Sequence, residues 1–200
     1  MEKKVLPINE IFLSVQGEGL HIGKLALFIR FGKCNLRCAF CDTKQAWDKY
    51  QSIPVEKLLP ILKQTRRATD FLILTGGEPC LNDLNELIRI AKKLKYYVAL
   101  ETNGTTYWPW LKRIDWITVS PKKKNIDKKI LKLCNELKII ITGKKSFDLA
   151  SFYLPFHTVI LQPVNNNKKI ASQIIRYIKH SKYNDHLRLG IQMHKVLGIK

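Results

Sequence analysis

The sequence predicts an α/β fold, an incomplete, open (β/α)6-type, TIM-like barrel with trimmed helices and an N-terminal strand extension. Two observations support this prediction. Short runs rich in apolar and β-branched residues alternate with segments of helical periodicity, which is typical of parallel βα units. The chain has 200 residues, whereas a complete eight-fold barrel needs about 250. A barrel left open in this way would admit a substrate from the side.

The predicted elements follow one another in a regular order. The first is INEIFLSVQGEG, an apparent extra strand that ends in a glycine-bearing turn. The strands of the repeating units are KLALFIRF, FLILTG, YYVALET, DWITVS, ELKIIIT, HTVILQ and LRLGIQM. The apolar spacing predicts helices over Pro54–Arg66, Asn82–Lys95, Ile126–Leu133 and Lys168–His180. The sequence therefore contains about six βα repeats.

Length and composition predict a single domain, residues 1–200. A hydrophobic fraction of 46% is enough for one sizeable core. The N-terminal MEKKVLPINE has no apolar signal-peptide segment behind it, and no later apolar run is as long as a membrane span. We therefore expect a soluble, cytoplasmic protein without a membrane partner.

The chain is strongly basic, with a formal net charge of +19 and a pI near 9.8. Such a charge can indicate a nucleic-acid partner. Here the basic residues are spread over the predicted helices, between apolar residues at helical spacing, in LKQTRRA, IAKKLK, NIDKKILKL and RYIKHSKY. This pattern is typical of solvated outer helix faces, so we expect no direct nucleic-acid partner.

Three of the five cysteines, Cys34, Cys38 and Cys41, lie in the short stretch GKCNLRCAFCDT. An odd number of cysteines crowded into one loop argues against a disulfide framework and favours reduced thiols that bind a metal. Three thiolates leave one metal position for an exchangeable ligand, which is a catalytic arrangement. The alternative is a zinc site completed by Cys80, Cys134 or one of the five histidines. We interpret Cys80 and Cys134 as small buried residues.

Chemically distinctive residues follow nearly every predicted strand. These segments are GKCNLRCAFCDT, TGGEP, ETNG, SPK, QPVN and MHK. In parallel α/β folds the loops after the carboxyl ends of the strands converge on one face and build the active site. The sequence therefore predicts that these motifs meet at one site.

The spacing CxxxCxxC, with Phe40 before the last cysteine, resembles the radical S-adenosylmethionine superfamily. TGGEP after an apolar strand supports the resemblance, since two glycines let the backbone approach a ligand closely. The resemblance implies a 4Fe-4S cluster on the three cysteines, with S-adenosylmethionine chelating the fourth iron. A 5′-deoxyadenosyl radical would then abstract hydrogen from the substrate.

Across essentially the whole chain, EIFLSVQGEG, RFGKCNLRCAFCDT, LTGGEP, ETNG, DWITVSPK, NELKIII, LQP and MHKVLGIK resemble the family of 7-carboxy-7-deazaguanine synthases. The resemblance implies a carbon–nitrogen lyase of queuosine and 7-deazapurine biosynthesis. Its reaction would be a radical ring contraction of 6-carboxy-5,6,7,8-tetrahydropterin to 7-carboxy-7-deazaguanine with release of ammonia. S-adenosylmethionine would be a regenerated cofactor. Magnesium, a homodimer and an external, flavodoxin-like one-electron donor are also implied.

The resemblance also implies roles for individual residues. Thr43 would bind Mg²⁺ through its hydroxyl, with water and substrate as the other ligands. The cofactor-binding residues would be Gly77, Ser120, Pro121, Lys122, Gln162, Pro163, Val164 and Asn165. The substrate-binding residues would be Val15, Gln16, Gly17, Glu18, Arg30, Thr75, His194 and Lys200, the last through its terminal carboxylate. Asn165 stands where members often carry an acid, and Lys200 where proline is familiar. Glu101 and Asn103 are expected to line the same cavity.

Simpler interpretations of these residues stay open. Thr43 is otherwise a turn hydroxyl, and the QGEG segment a glycine bend. Arg30 is otherwise the partner of a structural salt bridge to Glu18 or Glu101. The runner-up enzyme is another radical enzyme, such as a glycyl-radical activase. The remaining alternative is a zinc protein that binds RNA through its positively charged surface.

Overall fold

The computed structural model describes residues 4–154, 156 and 158–199. This part of the chain has an α/β fold with nine strands, most of them paired in parallel, and six α-helices. It forms two compact units. The first unit comprises the described residues of Met1–Ser14, Lys24–Thr102 and Thr106–Ile117; the second comprises those of Val15–Gly23, Asn103–Thr105 and Thr118–Lys200. None of the described helices has both the length and the apolar character that a bilayer crossing requires.

The first unit contains five complete or nearly complete strands and two helices. The strands are β1 Val5–Val15, β2 Leu25–Phe31, β3 Gln51–Pro54, β4 Phe71–Gly76 and β5 Tyr97–Thr102, and the helices are α1 Leu58–Thr65 and α2 Asn85–Lys93. Their order is β3-β1-β2-β4-β5. β3 runs antiparallel to β1, while β2, β4 and β5 are parallel.

The second unit is built on strands that are all parallel. They are the last two residues of β6 Trp116–Val119, then β7 Glu136–Ile141, β8 Val159–Pro163 and β9 Leu187–Leu189, in that order. Its helices are α3 Lys128–Leu133, α4 Lys144–Tyr153, α5 Lys168–His180 and α6 Met193–Leu197. β7 and β8 are buried along nearly their whole length, as expected for parallel strands covered on both faces.

The structure confirms the alternation of strands and helices but does not confirm the count of six βα repeats. The connection between β5 and β6 has only a short 3-10 helix, Pro109–Arg113. The sequence analysis did not predict three elements, namely the five-residue helix α6, which begins at the last residue of the predicted strand LRLGIQM, and also β3 and α4. β3 is a four-residue strand ending in proline, and α4 contains several residues of modest helix propensity. Neither carries a strong periodic signal.

The core of the first unit positions Arg30 and Thr75. Ala26, Phe28, Phe71, Ile73 and Ala99 are buried together, with Phe12, Tyr97 and Trp116 packed against them. The parallel register of β2 and β4 places Arg30 opposite Thr75 and Phe31 opposite Gly76. The last residues of these two strands therefore lie side by side at their carboxyl ends.

Lys95, which directly follows the C-cap of α2, has a left-handed backbone conformation with φ 60°. A side chain at such a position is strained, and glycine relieves the strain. We expect Lys95→Gly to raise the free energy of unfolding by about 0.5–1 kcal/mol. Urea denaturation measures this change. Arg89→Gly, at an exposed position in the middle of α2, is the matched control and should lower stability by about 1 kcal/mol. Equal losses in both variants would contradict the prediction.

Candidate active site

The first unit brings Cys34, Cys38 and Cys41 together in the loop after β2. All three are partly exposed cysteines in the thiol form, and the Cys41 amide donates to the Cys38 carbonyl over 3.0 Å. Burial is the main cause that raises the pKa of Cys34; anionic Glu78, Cys38 and Cys41 add to it, and the Leu36 amide opposes it. A bound cationic metal centre would favour the thiolate form of all three cysteines. The donor set therefore suits an iron–sulfur cluster with three protein ligands.

The other two cysteines do not have the character of metal ligands. Cys80 is completely buried in the first unit, and burial strongly raises the pKa of its thiol. In the second unit, burial raises the pKa of Cys134 to about 12, and its Sγ donates to the Glu136 carbonyl over 3.0 Å. Metal ligation needs a thiolate, which both environments disfavour.

Gly76 packs against the end of β2, and Gly77 packs against the start of the cysteine loop. Gly76 has φ 128°, and a Cβ there would lie 2.4 Å from the Phe31 backbone; a Cβ at Gly77 would lie 1.9 Å from the Lys33 carbonyl oxygen. The Gly77 amide donates to Phe31 O, and the Glu78 amide to Lys33 O, both over 2.8 Å. The two glycines are therefore required by the close approach of this turn to β2 and to the cysteine loop. A role of Gly77 in cofactor binding stays a prediction.

Glu78 is a buried carboxylate that sequence reasoning did not assign. Its side chain is 1% exposed, and Oε1 accepts hydrogen bonds from the Cys80 amide at 2.9 Å and the Thr102 hydroxyl at 2.6 Å. These bonds link the loop after β4 to the end of β5. An acid in a turn between buried strands was the only sequence signal for this role.

Arg30 lies at the end of β2, half-buried among groups that hold its guanidinium. Nε is 3.5 Å from Glu10 Oε2, and Nη1 donates to Thr43 Oγ1 over 3.5 Å. The Phe12 ring centroid is 5.6 Å from the guanidinium carbon. The acid beside Arg30 is thus Glu10, whereas the sequence analysis had considered Glu18 and Glu101.

Two hydroxyl groups of the first unit contact carboxylates. Thr75 Oγ1 donates to Glu101 Oε2 over 3.1 Å, and Thr43 Oγ1 donates to Asp42 Oδ1, also over 3.1 Å. A hydroxyl beside a carboxylate is an oxygen pair of the kind that Mg²⁺ accepts. Thr43 with Asp42 therefore fits a magnesium ion better than Thr43 alone.

In the second unit, the turn formed by Val15, Gln16, Gly17 and Glu18 is fixed by Glu18. The Glu18 carboxylate accepts from Lys138 Nζ at 2.5 Å and from Gln192 Nε2 at 2.8 Å. Lys138 and Glu18 are 8% and 13% exposed, which makes this a nearly buried ion pair. Gln16 Oε1 accepts from the Glu18 amide over 3.2 Å.

The C-terminal segment of the second unit packs against the same turn. The Met193 amide donates to the Gly17 carbonyl over 2.9 Å. His194 is so close to Gly17 that a Cβ there would lie 2.3 Å from Nδ1. The structure therefore brings His194 to the predicted substrate turn. Lys200, the other predicted residue of this segment, lies outside the described residues.

The two predicted cofactor loops follow β6 and β8. Ser120 Oγ donates to the Lys138 carbonyl over 2.8 Å, and Lys122 Nζ donates to Ser120 Oγ over 2.6 Å. Gln162 is fully buried, and its Oε1 has no hydrogen-bond partner in the described part of the chain. Asn165 has φ 49° and accepts from Lys195 Nζ over 3.3 Å. Pro163 and Val164 lie between Gln162 and Asn165.

The unpaired Gln162 oxygen is informative because a buried acceptor without a donor costs free energy. S-adenosylmethionine carries amine and ribose hydroxyl donors, so its chemistry matches this orphaned acceptor. The residues present therefore fit the cofactor.

Several residues near the predicted site residues were missed by sequence reasoning. They are Glu10, Asp42, Glu78, Lys138, Asn166 and Gln192. Asn166 and Gln192 form two hydrogen bonds with each other. Asn166 Nδ2 donates to Gln192 O over 3.0 Å, and the Gln192 backbone amide donates to Asn166 Oδ1 over 2.9 Å. Besides Glu78, only Lys138 left a sequence signal, as a charged residue inside the apolar run ELKIII.

The three-cysteine loop after a strand and the glycine turn against it define a radical S-adenosylmethionine enzyme. Residues 28–140 match the family model described as the Radical SAM superfamily. A 7-carboxy-7-deazaguanine synthase of Synechocystis sp. is 36% identical over 97% of this chain and 93% of its own. One of Prochlorococcus marinus is 35% identical over 97% and 98%. The crystal structure of QueE from Escherichia coli has a TM-score of 0.82 at 27% identity, over 95% of both chains.

The chain belongs to the 7-carboxy-7-deazaguanine synthase family of the radical S-adenosylmethionine superfamily.

Proposed function

We propose that this chain converts 6-carboxy-5,6,7,8-tetrahydropterin to 7-carboxy-7-deazaguanine with release of ammonia, as a carbon–nitrogen lyase of queuosine and 7-deazapurine biosynthesis. The observation that carries the proposal is the half-buried guanidinium of Arg30, 3.5 Å from the Thr43 hydroxyl of the cysteine loop. A guanidinium in such a place suits a carboxylate ligand. Membership of the family, over nearly the full length of its relatives, supports the same reaction.

Cys34, Cys38 and Cys41 would hold the 4Fe-4S cluster. Gly77, Ser120, Pro121, Lys122 and the segment from Gln162 to Asn165 would hold S-adenosylmethionine. Bound together, these two groups supply hydrogen-abstraction chemistry, with S-adenosylmethionine regenerated. Among the protein groups, Gln162 Oε1 would accept a hydrogen bond from the cofactor, and the stiff proline-containing loops would limit its movement.

Arg30 would bind the substrate carboxylate, with Thr75 beside it on the neighbouring strand. Val15, Gln16, Gly17 and Glu18 would contact the pterin, whose amide and amine edge needs both acceptors and donors. His194, at Gly17, and the terminal carboxylate of Lys200 would complete the substrate contacts. A homodimer, a cytoplasmic location and an external, flavodoxin-like one-electron donor belong to the same proposal.

The proposed function is tested by anaerobic reconstitution with iron and sulfide, followed by turnover of carboxytetrahydropterin under reducing conditions. We expect about four irons per chain and formation of 7-carboxy-7-deazaguanine without net loss of S-adenosylmethionine. Stoichiometric 5′-deoxyadenosine release without a deazaguanine product would overturn the proposal and favour an activase. Colourless zinc binding would overturn it in favour of the zinc protein.

Removing the Arg30 side chain should mainly weaken substrate binding. Charge-assisted bidentate bonds contribute about 1.5–3 kcal/mol, so Arg30→Ala should weaken substrate affinity by roughly 10- to 150-fold. Isothermal titration of the cluster-loaded enzyme measures the affinity. Iron content and S-adenosylmethionine binding should stay unchanged and serve as controls. Unchanged substrate affinity would refute the role of Arg30.

The magnesium ion is proposed to bind Thr43, with Asp42 as a second oxygen ligand. Thr43→Ala should raise the Mg²⁺ concentration needed for half-maximal activity by several-fold, since one of few protein ligands is lost. A magnesium titration of turnover measures this shift, with Thr105→Ala, a hydroxyl of the second unit bonded to Asn103, as the control. An identical magnesium response in Thr43→Ala and wild type would reject Thr43 as a ligand.

A further inference from the structure

Glu10 lies on β1, and no role has been assigned to it above. Its Oε2 is 3.5 Å from Arg30 Nε, and the two side chains are 29% and 20% exposed. This separation is an ion-pair distance. It is not a hydrogen bond, since the buried Nε atom of Arg30 has no hydrogen-bond partner among the described residues. Glu10 is therefore next to one particular edge of the guanidinium.

The choice of edge matters because arginine can pair with a carboxylate in two ways. A bidentate carboxylate uses either Nε with one terminal nitrogen, or the two terminal nitrogens together. Glu10 stands beside Nε, so it disfavours the first arrangement. At the terminal edge, Nη1 donates one long hydrogen bond to Thr43 Oγ1 over 3.5 Å. Each terminal nitrogen carries two N–H groups, so this edge can still donate to an incoming anion.

Phe12, two residues after Glu10 on β1, supports the plane of the same guanidinium. Its ring centroid is 5.6 Å from the guanidinium carbon of Arg30. Phe12 is itself stacked on Phe28, with ring centroids 4.8 Å apart and planes 2° from parallel. Glu10 and Phe12 project from the same side of β1, since residues two apart share a face of a strand. β1 thus supplies both the carboxylate beside Nε of Arg30 and the aromatic ring against its guanidinium plane.

We propose that Glu10 is a positioning residue: it holds the guanidinium of Arg30 by Nε, so that the terminal nitrogens receive the carboxylate of the pterin. This inference rests on the proposed function. It makes Glu10 a determinant of selectivity for carboxylated over uncarboxylated pterins, although Glu10 does not touch the substrate.

The pair has little to do with stability. Both side chains are partly exposed, and ion pairs of this kind contribute little to the free energy of unfolding. Glu10 acts on the orientation of the Arg30 guanidinium, because a preorganised donor loses less entropy when the ligand binds. The Nε contact is expected to shorten to a hydrogen bond in the substrate complex.

The opposite role, a counter-ion that competes with the substrate for Arg30, predicts changes of the opposite sign. Removal of a competitor would tighten substrate binding in Glu10→Ala and Glu10→Gln alike. Removal of a positioning group weakens binding in Glu10→Ala, whereas Glu10→Gln keeps a side-chain oxygen that can accept from Nε.

The test measures equilibrium binding of two ligands to the cluster-loaded enzyme: carboxytetrahydropterin, and tetrahydropterin without the carboxylate. For Glu10→Ala we expect about tenfold weaker binding of the carboxylated ligand and unchanged binding of the other. Glu10→Gln should bind the carboxylated ligand within about threefold of wild type. Asp70→Ala, an exposed acid of the first unit, is the matched control and should match wild type for both ligands.

Equal weakening of both ligands in Glu10→Ala, tighter binding of the carboxylated one, or no change would each overturn the inference. If wild-type enzyme binds and converts the carboxylated pterin while Glu10→Ala binds it equally well, only the role of Glu10 fails. If wild-type enzyme neither binds nor converts it, the proposed function fails, and the inference fails with it. Thermal denaturation of each variant verifies that the fold is intact.

Discussion

Replacement of Cys38 with alanine is expected to abolish both cluster binding and turnover. Three thiolates are the whole protein contribution to the proposed cluster, and two cannot retain it with one iron open for the cofactor. The same loss is expected for Cys34→Ala and Cys41→Ala. Iron and sulfide content after anaerobic reconstitution, with electron paramagnetic resonance of the reduced protein, measures the effect.

Cys80→Ala and Cys134→Ala are the matched controls. Desolvation raises the pKa of both thiols, of which Cys80 is buried and Cys134 partly buried, so both variants should keep the full iron content. They test whether loss of iron is specific to the loop after β2. Iron retained in Cys38→Ala at the wild-type level, or lost in Cys80→Ala, would contradict the assignment of the three ligands.

Lys138→Met is expected to lower the free energy of unfolding by about 3–5 kcal/mol, the usual cost of leaving one member of a buried ion pair alone. Lys138 is 8% exposed and donates to Glu18, which is 13% exposed. Methionine has a similar length but no charge, so the nearly buried Glu18 would keep Gln192 as its side-chain donor among the described residues and lose its counter-ion. Urea denaturation at pH 7 measures the loss.

A second variant separates the charge effect from a packing effect. In Lys138→Met with Glu18→Gln, no unpaired charge remains, so much of the lost stability should return. Lys179→Met, at an exposed position of α5, is the control and should change stability by less than about 0.5 kcal/mol. A double variant as unstable as Lys138→Met alone would show that packing, rather than charge, explains the loss.

The sequence analysis was most successful where a pattern is local. Runs such as FLILTG and YYVALET became β4 and β5, and the spacing over Lys168–His180 predicted α5 with its observed bounds. The cysteine spacing placed three thiols in one loop after β2. These features depend on residues close together in the chain, so that periodicity and spacing are sufficient to predict them.

Partners distant in the chain were the part that sequence reasoning missed. Glu18 and Glu101 were the alternative salt-bridge partners considered for Arg30, whereas the structure shows an ion pair of Arg30 with Glu10. Glu78 was considered only as part of the TGGEP motif, yet its carboxylate accepts hydrogen bonds from the Cys80 amide and the Thr102 hydroxyl. Such pairs depend on strand register, and register is decided by packing of the whole sheet.

By itself, the sequence determined the alternating strands and helices, the three-cysteine loop and the family of the chain. Only the tertiary structure decided that Glu10 pairs with Arg30, that Lys138 neutralises Glu18, and that the Gln162 oxygen has no hydrogen-bond partner among residues 4–154, 156 and 158–199. The physical reason is that spacing along a chain determines which side chains share one strand or helix face, whereas contacts between elements depend on the burial and hydrogen bonding of the folded unit.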